Sequence, residues 1–422
     1  MTSYKKYPKY KDSNVAWLGE IPEHWISVKF KQVLEEKKKK TNLSLNCGSI
    51  SFGTVVYKDN EKIPAETKAS YQEVLKGEFL INPLNLNFDL KSLRTALSTL
   101  DVVVSTGYIV LKHKSNINPY YLRWLLYQFD VAHMKTLGAG VRQTVNFTNI
   151  GNEYFFIPPL QEQQAIANYL DKATAKIDTL IQKQEKLIEL LKEKRQALIS
   201  HAVTKGLNPD AKMKDSGIKW LGEIPEHWEV KKTKHIFSLI VEPAHTNNTY
   251  ELLSIYTDIG VKPRKDMEAK GNKATTTDGY WKVQKKDIIV NKLLAWMGAI
   301  GVSNYDGVTS PAYDILRPNK NIDSDFYHLL FRTKKAQIEF KKWSRGIMEM
   351  RLRLYFSEFG QIKMPVPSYD EQKQIVYFIE EKTSKIDELI TKATKAIDLL
   401  KEKKTALISA AVTGKIDVRE NI

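Results

Sequence analysis

Hydrophobic positions recur along this chain with two different patterns. In two long stretches, 162–204 and 371–413, apolar residues return alternately every four and every three positions. A sustained 3.5-residue period is typical of a coiled-coil helix. Outside these stretches, short runs such as KDIIVNK (286–292) are rich in β-branched residues and bounded by turn residues, which predicts strands. The pattern therefore predicts two long helices, each preceded by a mixed block of strands and helices.

The seam of each predicted helix can be written residue by residue. In the first helix it runs through Ile166, Leu170, Ala173, Ile177, Leu180, Gln184, Leu187, Leu191, Lys194 and Leu198. In the second helix it runs through Ile375, Ile379, Lys382, Ile386, Leu389, Ala393, Ala396, Leu400, Lys403 and Leu407. A lysine on the seam either fixes the register or lies with only its stem along the apolar surface. Further apolar residues widen the stripe, which predicts contact with more than one neighbour: Ile181, Ile188, Ile390 and Ile397.

The chain is a tandem duplication. The two long stretches align without a gap at an offset of 209, and the nine residues WLGEIPEHW occur at 17–25 and again at 220–228. The blocks correspond at anchors such as LINPL (80–84) and IVNKL (289–293), and diverge elsewhere. We predict an α+β fold, with two mixed α/β blocks in a pseudo-two-fold tandem repeat, separated by an antiparallel coiled coil of two long helices. The predicted segments are 1–157, 158–206, 207–364 and 365–422.

The helix ends and the joining segment add two expectations. Ser368 followed by Glu371 predicts a capping box, and Gly206 and Gly414 suit left-handed C-caps. The internal copies are joined only by 207–213, which reaches at most about 25 Å. If the halves are related by a two-fold, the two ends of the chain should lie equally close.

The charge is unevenly distributed. The chain carries 65 Lys+Arg against 49 Asp+Glu, a net charge of +16. Residues 1–157 hold 21 against 14 and residues 207–364 hold 26 against 19, whereas the helical stretches are nearly neutral. Basic blocks on a neutral spacer indicate two surfaces for nucleic acid. Cys47 is the only cysteine, and no run of about 18 apolar residues occurs, so we expect a cytoplasmic protein that does not enter membranes.

These motifs together resemble the specificity subunit of type I restriction-modification enzymes. Each variable block starts near GEIPEHW and ends in a Pro-rich turn, EQ and a long helix closing with ALISxAVT, over nearly the whole chain. The resemblance implies that each block is a target recognition domain for one half of a split site in double-stranded DNA. It implies that the helices form the spacer and dock two copies of the modification subunit, which binds S-adenosylmethionine. A separate restriction subunit, a motor-nuclease, would use ATP and Mg.

The chain itself shows no catalytic constellation and no metal-binding motif. NPLN (82–85) lacks the second proline and the aromatic residue of an amino-methyltransferase motif, and VTGK (412–415) lacks the upstream glycine of a phosphate loop. We therefore expect a non-catalytic subunit that binds no cofactor by itself. Two alternatives stay open from the residues alone: a single-chain modification or restriction enzyme, and a coiled-coil scaffold whose basic lobes bind RNA or protein.

The candidate DNA-binding residues follow the helical segment inside each block, in LGAGVRQTVNF (137–147) and SRGIMEMRLRLYF (344–356). Glycine lets the backbone approach phosphates, and Arg and Gln have the geometry to bind base edges. The candidates are Arg142, Gln143, Arg345, Arg351 and Arg353. The alternative is ordinary solvated arginines, and MRLRLYF also fits an edge strand with both arginines on one face. KKKK (37–40) is interpreted as a solvated loop or a non-specific phosphate contact, and WLGEIPEHW as a core motif or a partner contact.

Overall fold

A computed structural model describes residues 4–84, 93–114, 116–138, 144–257, 259–266, 276–347 and 351–420. The chain forms two compact units, Met1–Gln184 with Lys395–Ile422, and Glu185–Thr394. Each unit combines one block with a part of both long helices. This partition differs from the four segments drawn from the sequence, which stay a prediction.

The first unit is built on strands that are short and mostly buried. They are β1 (Tyr10–Asp12), β2 (Glu20–Pro22), β3 (Ile26–Lys29), β4 (Leu34–Glu36), β5 (Asn46–Ser51), β6 (Thr54–Tyr57), β7 (Gln72–Val74), β8 (Phe79–Ile81), β9 (Thr95–Leu97), β10 (Val102–Val104), β11 (Ile109–His113) and β12 (Tyr154–Ile157). The helices are α1 (Phe30–Val33), α2 (Ala65–Ala69), α3 (Pro119–Ala132), α4 (Phe147–Asn152) and the start of α5 (Leu160–Lys205).

Two four-stranded sheets organise this unit, with strand orders β6-β5-β10-β7 and β4-β11-β8-β9. The β5–β10 pair is parallel, and the other pairs are antiparallel. The runs FLI in β8, TAL in β9 and VVV in β10 are buried throughout, as expected for strands covered on both faces. Helix α3 packs against β9 and contributes Leu122, Leu125 and Phe129 to the main core.

The second unit repeats this order of elements. Its strands are β13 (Met213–Asp215), β14 (Glu223–Pro225), β15 (Glu229–Lys232), β16 (Phe237–Ile240), β17 (Leu253–Tyr256), β18 (Gly260–Pro263), β19 (Trp281–Val283), β20 (Ile288–Asn291), β21 (Ile300–Val302), β22 (Gly307–Thr309), β23 (Tyr313–Pro318) and β24 (Lys363–Val366). Its helices are α6 (Thr233–Ile236), α7 (Ser324–Phe331), α8 (Lys334–Trp343), α9 (Phe356–Phe359) and the first part of α10 (Tyr369–Val412).

The strand order shows that the two blocks share one fold. The sheet β16-β23-β20-β21 has the same order and antiparallel pairing as β4-β11-β8-β9 of the first unit. Strand β8 therefore corresponds to β20, and this confirms the correspondence predicted between LINPL and IVNKL. The duplication is a duplication of structure as well as of sequence.

The two long helices pack against each other in antiparallel orientation, as predicted. In the first unit, Lys404 Nζ lies 2.7 Å from the Asp178 carboxylate. In the second unit, Arg195 Nε lies 3.4 Å from Asp387 Oδ1. A rise of 17 residues along α5, from 178 to 195, is matched by a fall of 17 along α10, from 404 to 387. Only an antiparallel pair has this register.

The predicted seam is wrong at several positions. Leu180, Leu187 and Leu389 are 46%, 43% and 49% exposed, and Lys194 and Lys403 are also exposed. The reason is geometric, because an α-helix has 3.6 residues per turn and drifts away from a strict 3.5-residue repeat. The less exposed side of the helices includes residues that were assigned to the margin of the stripe: Ile397 is buried, and Ile181, Ile188 and Ile390 are half-buried.

The repeated WLGEIPEHW segment is a packing motif. Trp25 and Trp228 are each 1% exposed and belong to the core of their unit. In the first unit, Trp25 Nε1 donates to Glu162 Oε1 at 2.9 Å, and the Tyr7 hydroxyl donates to the same oxygen at 2.7 Å. His24 Nε2 lies 2.9 Å from Glu162 Oε2. The segment thus attaches its block to the first turn of α5.

The second unit makes a weaker version of this junction. His227 Nε2 lies 2.9 Å from Glu371 Oε2, but the buried Trp228 Nε1 has no hydrogen-bond partner among the described residues. The predicted cap of α10 is present in part, because the Glu371 N–H donates to Ser368 Oγ at 3.3 Å. The Glu371 carboxylate, however, is hydrogen-bonded to His227.

The two ends of the described chain meet in the first unit, as predicted. The Asp417 N–H donates to the Lys5 carbonyl at 2.8 Å, and Lys5 Nζ lies 2.6 Å from Glu420 Oε1. Val418 is fully buried in the core of this unit. The corresponding connection of the second unit is covalent, through residues 207–213. Gly206 and Gly414 have φ values of +75° and +72°, which confirms both left-handed C-caps.

Candidate nucleic-acid interface

After α8 in the second unit, residues 344–347 and 351–354 lie side by side, and these two described segments are called the hairpin. Arg345 and Arg353 are paired through both backbone hydrogen bonds, each 2.8 Å long. A Cβ at position 346 would lie 2.6 Å from the Arg351 carbonyl oxygen, so this close approach requires Gly346. The hairpin is anchored at Leu354, which is fully buried and whose N–H donates to the Lys292 carbonyl at 2.8 Å.

The hairpin presents its charged side chains to solvent. Arg345, Arg351 and Arg353 are all exposed, whereas Leu354 is buried, which agrees with the alternation predicted from MRLRLYF. Arg345 Nε lies 3.6 Å from Glu358 Oε1 and its side chain remains 72% exposed. Within the described residues, Arg351 and Arg353 make no ion pair. Their guanidinium groups are therefore available for bidentate contacts to phosphates or base edges.

A buried ion pair supports the base of this hairpin. Lys292 Nζ lies 3.2 Å from Asp314 Oδ1, and both side chains are mostly buried. Burial raises the pKa of the Asp314 carboxyl, and the charge of Lys292 acts against this shift. Because the Lys292 carbonyl holds Leu354, this pair fixes the place from which the arginines extend.

The first unit holds its equivalent segment in the same way. The Val145 N–H donates to the Pro83 carbonyl at 3.2 Å, and Val145 is 5% exposed. Residues 83 and 145 lie 209 positions before 292 and 354, so the two anchors are equivalent. The predicted residues Arg142 and Gln143 lie outside the described residues. The same offset makes Arg142 the sequence counterpart of Arg351.

The lysine run 37–40 was interpreted as solvated, and this is wrong for its first member. Lys37 Nζ lies 3.1 Å from Glu73 Oε1 and 2.8 Å from Glu78 Oε2, with 9% of its side chain exposed. A hydrogen bond from Asn42, together with Lys37, lowers the pKa of the Glu73 carboxyl. Lys37 therefore stabilises the sheet region, and only Lys38, Lys39 and Lys40 are exposed.

The comparison with protein families gives one match in each half of the chain. The model described as type I restriction modification DNA specificity domain matches residues 5–190 and 225–399. The chain belongs to this family. It is a type I restriction-modification specificity subunit with two DNA target recognition domains, so the two blocks are named the first and second recognition domains from here on.

Relatives bear the same family name, and solved structures share the fold. The chain is 24% identical to a putative type I restriction enzyme MjaX specificity subunit of Methanocaldococcus jannaschii, over 97% of this chain and 98% of the relative. It is 23% identical to the MjaVIII specificity subunit of the same organism, over 97% of each chain. A chain from a structure on complex assembly in a type I restriction-modification system has a TM-score of 0.67 at 12% identity, covering 93% and 98%. The HsdS subunit from Thermoanaerobacter tengcongensis has a TM-score of 0.54 at 15% identity, covering 94% and 98%.

No helix in the described ranges combines the length and apolarity that a bilayer crossing requires.

Proposed function

We propose that this specificity subunit reads a bipartite site in double-stranded DNA, with one half-site bound by each recognition domain. The observation that carries the proposal is the recurrence of one hairpin anchor, Leu354 on Lys292 and Val145 on Pro83, in two domains whose remaining surfaces diverge. A shared anchor under different side chains fits two readers of different sequences. The subunit adds no catalytic group and no cofactor. S-adenosylmethionine, ATP and Mg belong to its partner subunits.

The long helices act as the ruler between the half-sites. From Ile166 to Leu198 the helix covers roughly 48 Å, and one turn of B-DNA is roughly 34–36 Å. A spacer of this length fits two half-sites separated by several unread base pairs. The target is then two short, unrelated sequences and not one continuous or palindromic site.

Exposed leucines on the helices support docking of two identical methyltransferase subunits. The first unit exposes Leu180 and Leu399 at 46% and 55%, and the second unit exposes Leu389 and Leu190, each at 49%. These pairs are related by the offset of 209. In the antiparallel register, Leu399 lies about one turn along α10 from the residue opposite Leu180, so the two leucines of each pair lie at a similar level along the helices. Exposed apolar patches mark interaction sites, and two equivalent patches fit two copies of one partner.

The ruler is tested by lengthening both helices together. One heptad inserted at Glu185 and one at Thr394 adds about 10 Å. Methylation mapping of the assembled complex should show a gap longer by roughly three base pairs and unchanged half-sites. A single insertion is the control, and it should lower stability because the helices no longer match. An unchanged gap in the double insertion would show that the helices are not the ruler.

Docking is tested by the stoichiometry of the assembled complex. Leu180→Glu with Leu399→Glu should remove one methyltransferase copy in native mass spectrometry, and adding Leu190→Glu with Leu389→Glu should remove both. Glu185→Gln is the matched change at a polar position of α5. The labelled methyl group of S-adenosylmethionine should be transferred to DNA, with release of S-adenosylhomocysteine, only when the methyltransferase is present. Transfer by the purified specificity subunit alone would contradict the non-catalytic assignment.

A further inference from the structure

Helix α8 of the second recognition domain has a strongly basic outer face. Its exposed residues are spaced i, i+1, i+4, i+7 and i+8, which places them on one side of a helix. These residues are Lys334, Lys335, Ile338, Lys341 and Lys342. The opposite side is buried through Ala336 and Phe340. Four lysines therefore share one outward face, with Ile338, 58% exposed, in its middle.

Stability of the helix does not account for this charge pattern. Thr333 caps α8 by accepting from the Ala336 N–H, so Lys334 and Lys335 occupy the first turn, where no acidic residue is present. Cations near a helix N-terminus interact unfavourably with the helix dipole, typically by a few tenths of a kcal/mol. Lys341 and Lys342 at the other end suit the dipole, but the first two lysines act against it. An external anion would explain their placement.

The first recognition domain has no equivalent face in its described residues. Helix α3, which stands at the equivalent place in the fold, carries Arg123, whose guanidinium is hydrogen-bonded to Asp171, and Asp130, which is buried. The interval from the N-cap of the helix to the hairpin anchor is 118 to 145 in the first domain and 323 to 354 in the second. The second domain is therefore four residues longer here, and this interval contains the break at Thr333 and the basic helix.

Helix α8 leads directly into the arginine hairpin. The helix ends at Trp343. Arg345 follows two residues further along the chain and pairs with Arg353. The Lys341 ammonium lies 5.0 Å from the centre of the Trp296 ring, which orients the end of this face. Glu339 interacts with Lys342 at 3.1 Å and with Trp343 Nε1 at 3.0 Å. Helix α8 itself contains one glutamate and four lysines, so its own net charge is +3.

We propose that the α8 face binds the phosphate backbone of the DNA next to the second half-site and carries no sequence information. This inference rests on the proposed DNA binding of the subunit. Lysine supplies a point charge to phosphates without the planar geometry that reads bases. The two recognition domains then contribute unequally, because within the residues that the structure describes only the second has a basic helix face of this kind in addition to its hairpin.

The test compares two quadruple variants with the same change in charge. The first replaces Lys334, Lys335, Lys341 and Lys342 with Gln. The control replaces four exposed lysines elsewhere in the second unit with Gln, namely Lys212, Lys214, Lys219 and Lys234. Binding of the full chain to a random-sequence duplex of about 40 base pairs is measured as a function of salt concentration. The dependence of log K on log salt should become shallower by about 2 to 4 in the first variant, at roughly 0.9 per lost phosphate contact, and by less than about 1 in the control.

Each outcome has a distinct meaning. Methylation mapping of the assembled complex should show the same half-sites for the α8 variant, because phosphate contacts do not specify sequence. Equal salt slopes in the α8 variant and the control would overturn the inference. If the wild-type chain binds DNA in the same experiment, the proposed function is unaffected by that result. Weaker assembly with the methyltransferase at an unchanged slope would assign the face to an acidic protein and also overturn it. A wild-type chain that binds no DNA would instead reject the proposed function.

Discussion

The two recognition domains share the arrangement of their strands and differ in the helical segment that follows the sheet. In the first, α3 runs unbroken for 14 residues. In the second, the equivalent interval is divided into α7 and α8 at Thr333. The sheets β4-β11-β8-β9 and β16-β23-β20-β21 are otherwise equivalent. The comparison shows that the buried strands define the fold, whereas the connection before the hairpin is free to change length and charge.

A second difference lies inside the domains, where a helix side chain accepts a hydrogen bond from a backbone N–H in or next to a strand. In the first domain, the Arg94 N–H donates to Asp130 Oδ2 at 2.6 Å. In the second, the Val302 N–H donates to His328 Nδ1 at 3.2 Å. A carboxyl in one domain and an imidazole in the other perform a similar structural role. Burial shifts their pKa values in opposite directions, because it raises the pKa of the Asp130 carboxyl and lowers that of the His328 imidazole.

Replacing one domain should have the largest effect, because it changes the DNA sequence that the domain recognises. Exchange of residues 26–157 for the matching block of a relative should change one half-site completely and leave the other unchanged, because the domains have separate cores. Genome-wide methylation mapping of the hybrid measures this directly. A change in both half-sites would mean that the domains do not read independently.

Removing one hairpin arginine should have the next largest effect. Arg351→Ala should weaken binding to the second half-site roughly 10- to 100-fold, as expected for loss of about 1–3 kcal/mol from a bidentate contact. Binding is measured by titration of a duplex that carries both half-sites. Lys320→Ala, which removes an exposed cation from the same domain, is the control and should change affinity less than about threefold. Equal effects would show that the hairpin adds only general charge.

The two buried tryptophans allow a matched test of the junctions. Trp25→Phe removes the hydrogen bond to Glu162, whereas Trp228→Phe removes no such bond. Both variants lose similar volume, so Trp25→Phe should cost about 1–2 kcal/mol more in free energy of unfolding. Chemical denaturation of both variants provides the values. Equal losses in free energy of unfolding would mean that other groups satisfy the hydrogen bonding of the Glu162 carboxylate when Trp25 is replaced.

The smallest expected effect is an opposite pH response of the two domains. Burial raises the pKa of Asp130 from 3.8 to about 6, so between these values the folded state keeps a proton that the unfolded state has released. The first domain therefore loses stability as pH rises through that window. Burial lowers the pKa of His328 from 6.5 to about 4, so the unfolded state binds the extra proton there, and the second domain gains stability as pH rises.

Hydrogen exchange resolves the two domains in one sample. Between pH 4 and 6, after correction for intrinsic exchange, the protection of β8 should fall and that of β20 should rise as pH increases. Each slope is at most about 1.4 kcal/mol per pH unit. Asp130→Asn should flatten only the first response and His328→Gln only the second. Parallel responses in both domains would contradict this account.

The sequence predicted the features that repeat at a regular period. The heptad stretches, the offset of 209 and the helix caps at Gly206 and Gly414 are local or periodic signals, and the structure confirms them. The arginine hairpin was also predictable, since alternation in MRLRLYF separates exposed Arg353 from buried Leu354. The half-site contacts of Arg142, Gln143, Arg345, Arg351 and Arg353 stay predictions.

Other features depend on contacts between distant parts of the chain. The pairing of β4 with β11, or of Tyr7 with Glu162, joins segments that carry no mutual sequence signal. The exposed Leu180 was assigned to the seam because periodicity cannot show where a straight helix drifts out of register. The basic face of α8 has a helical spacing in the sequence, but the single helical segment expected in this block does not show the break at Thr333 that separates α8 from α7.

The meeting of the chain ends in the first unit has a kinetic consequence. In the second unit the corresponding connection is covalent, through residues 207–213. The segments that it joins cannot come apart unless the residues around them unfold. In the first unit, residues 414–420 are held by contacts such as Asp417 on Lys5 and buried Val418, and these can break and re-form locally. The first unit therefore has a path of partial opening that the second lacks.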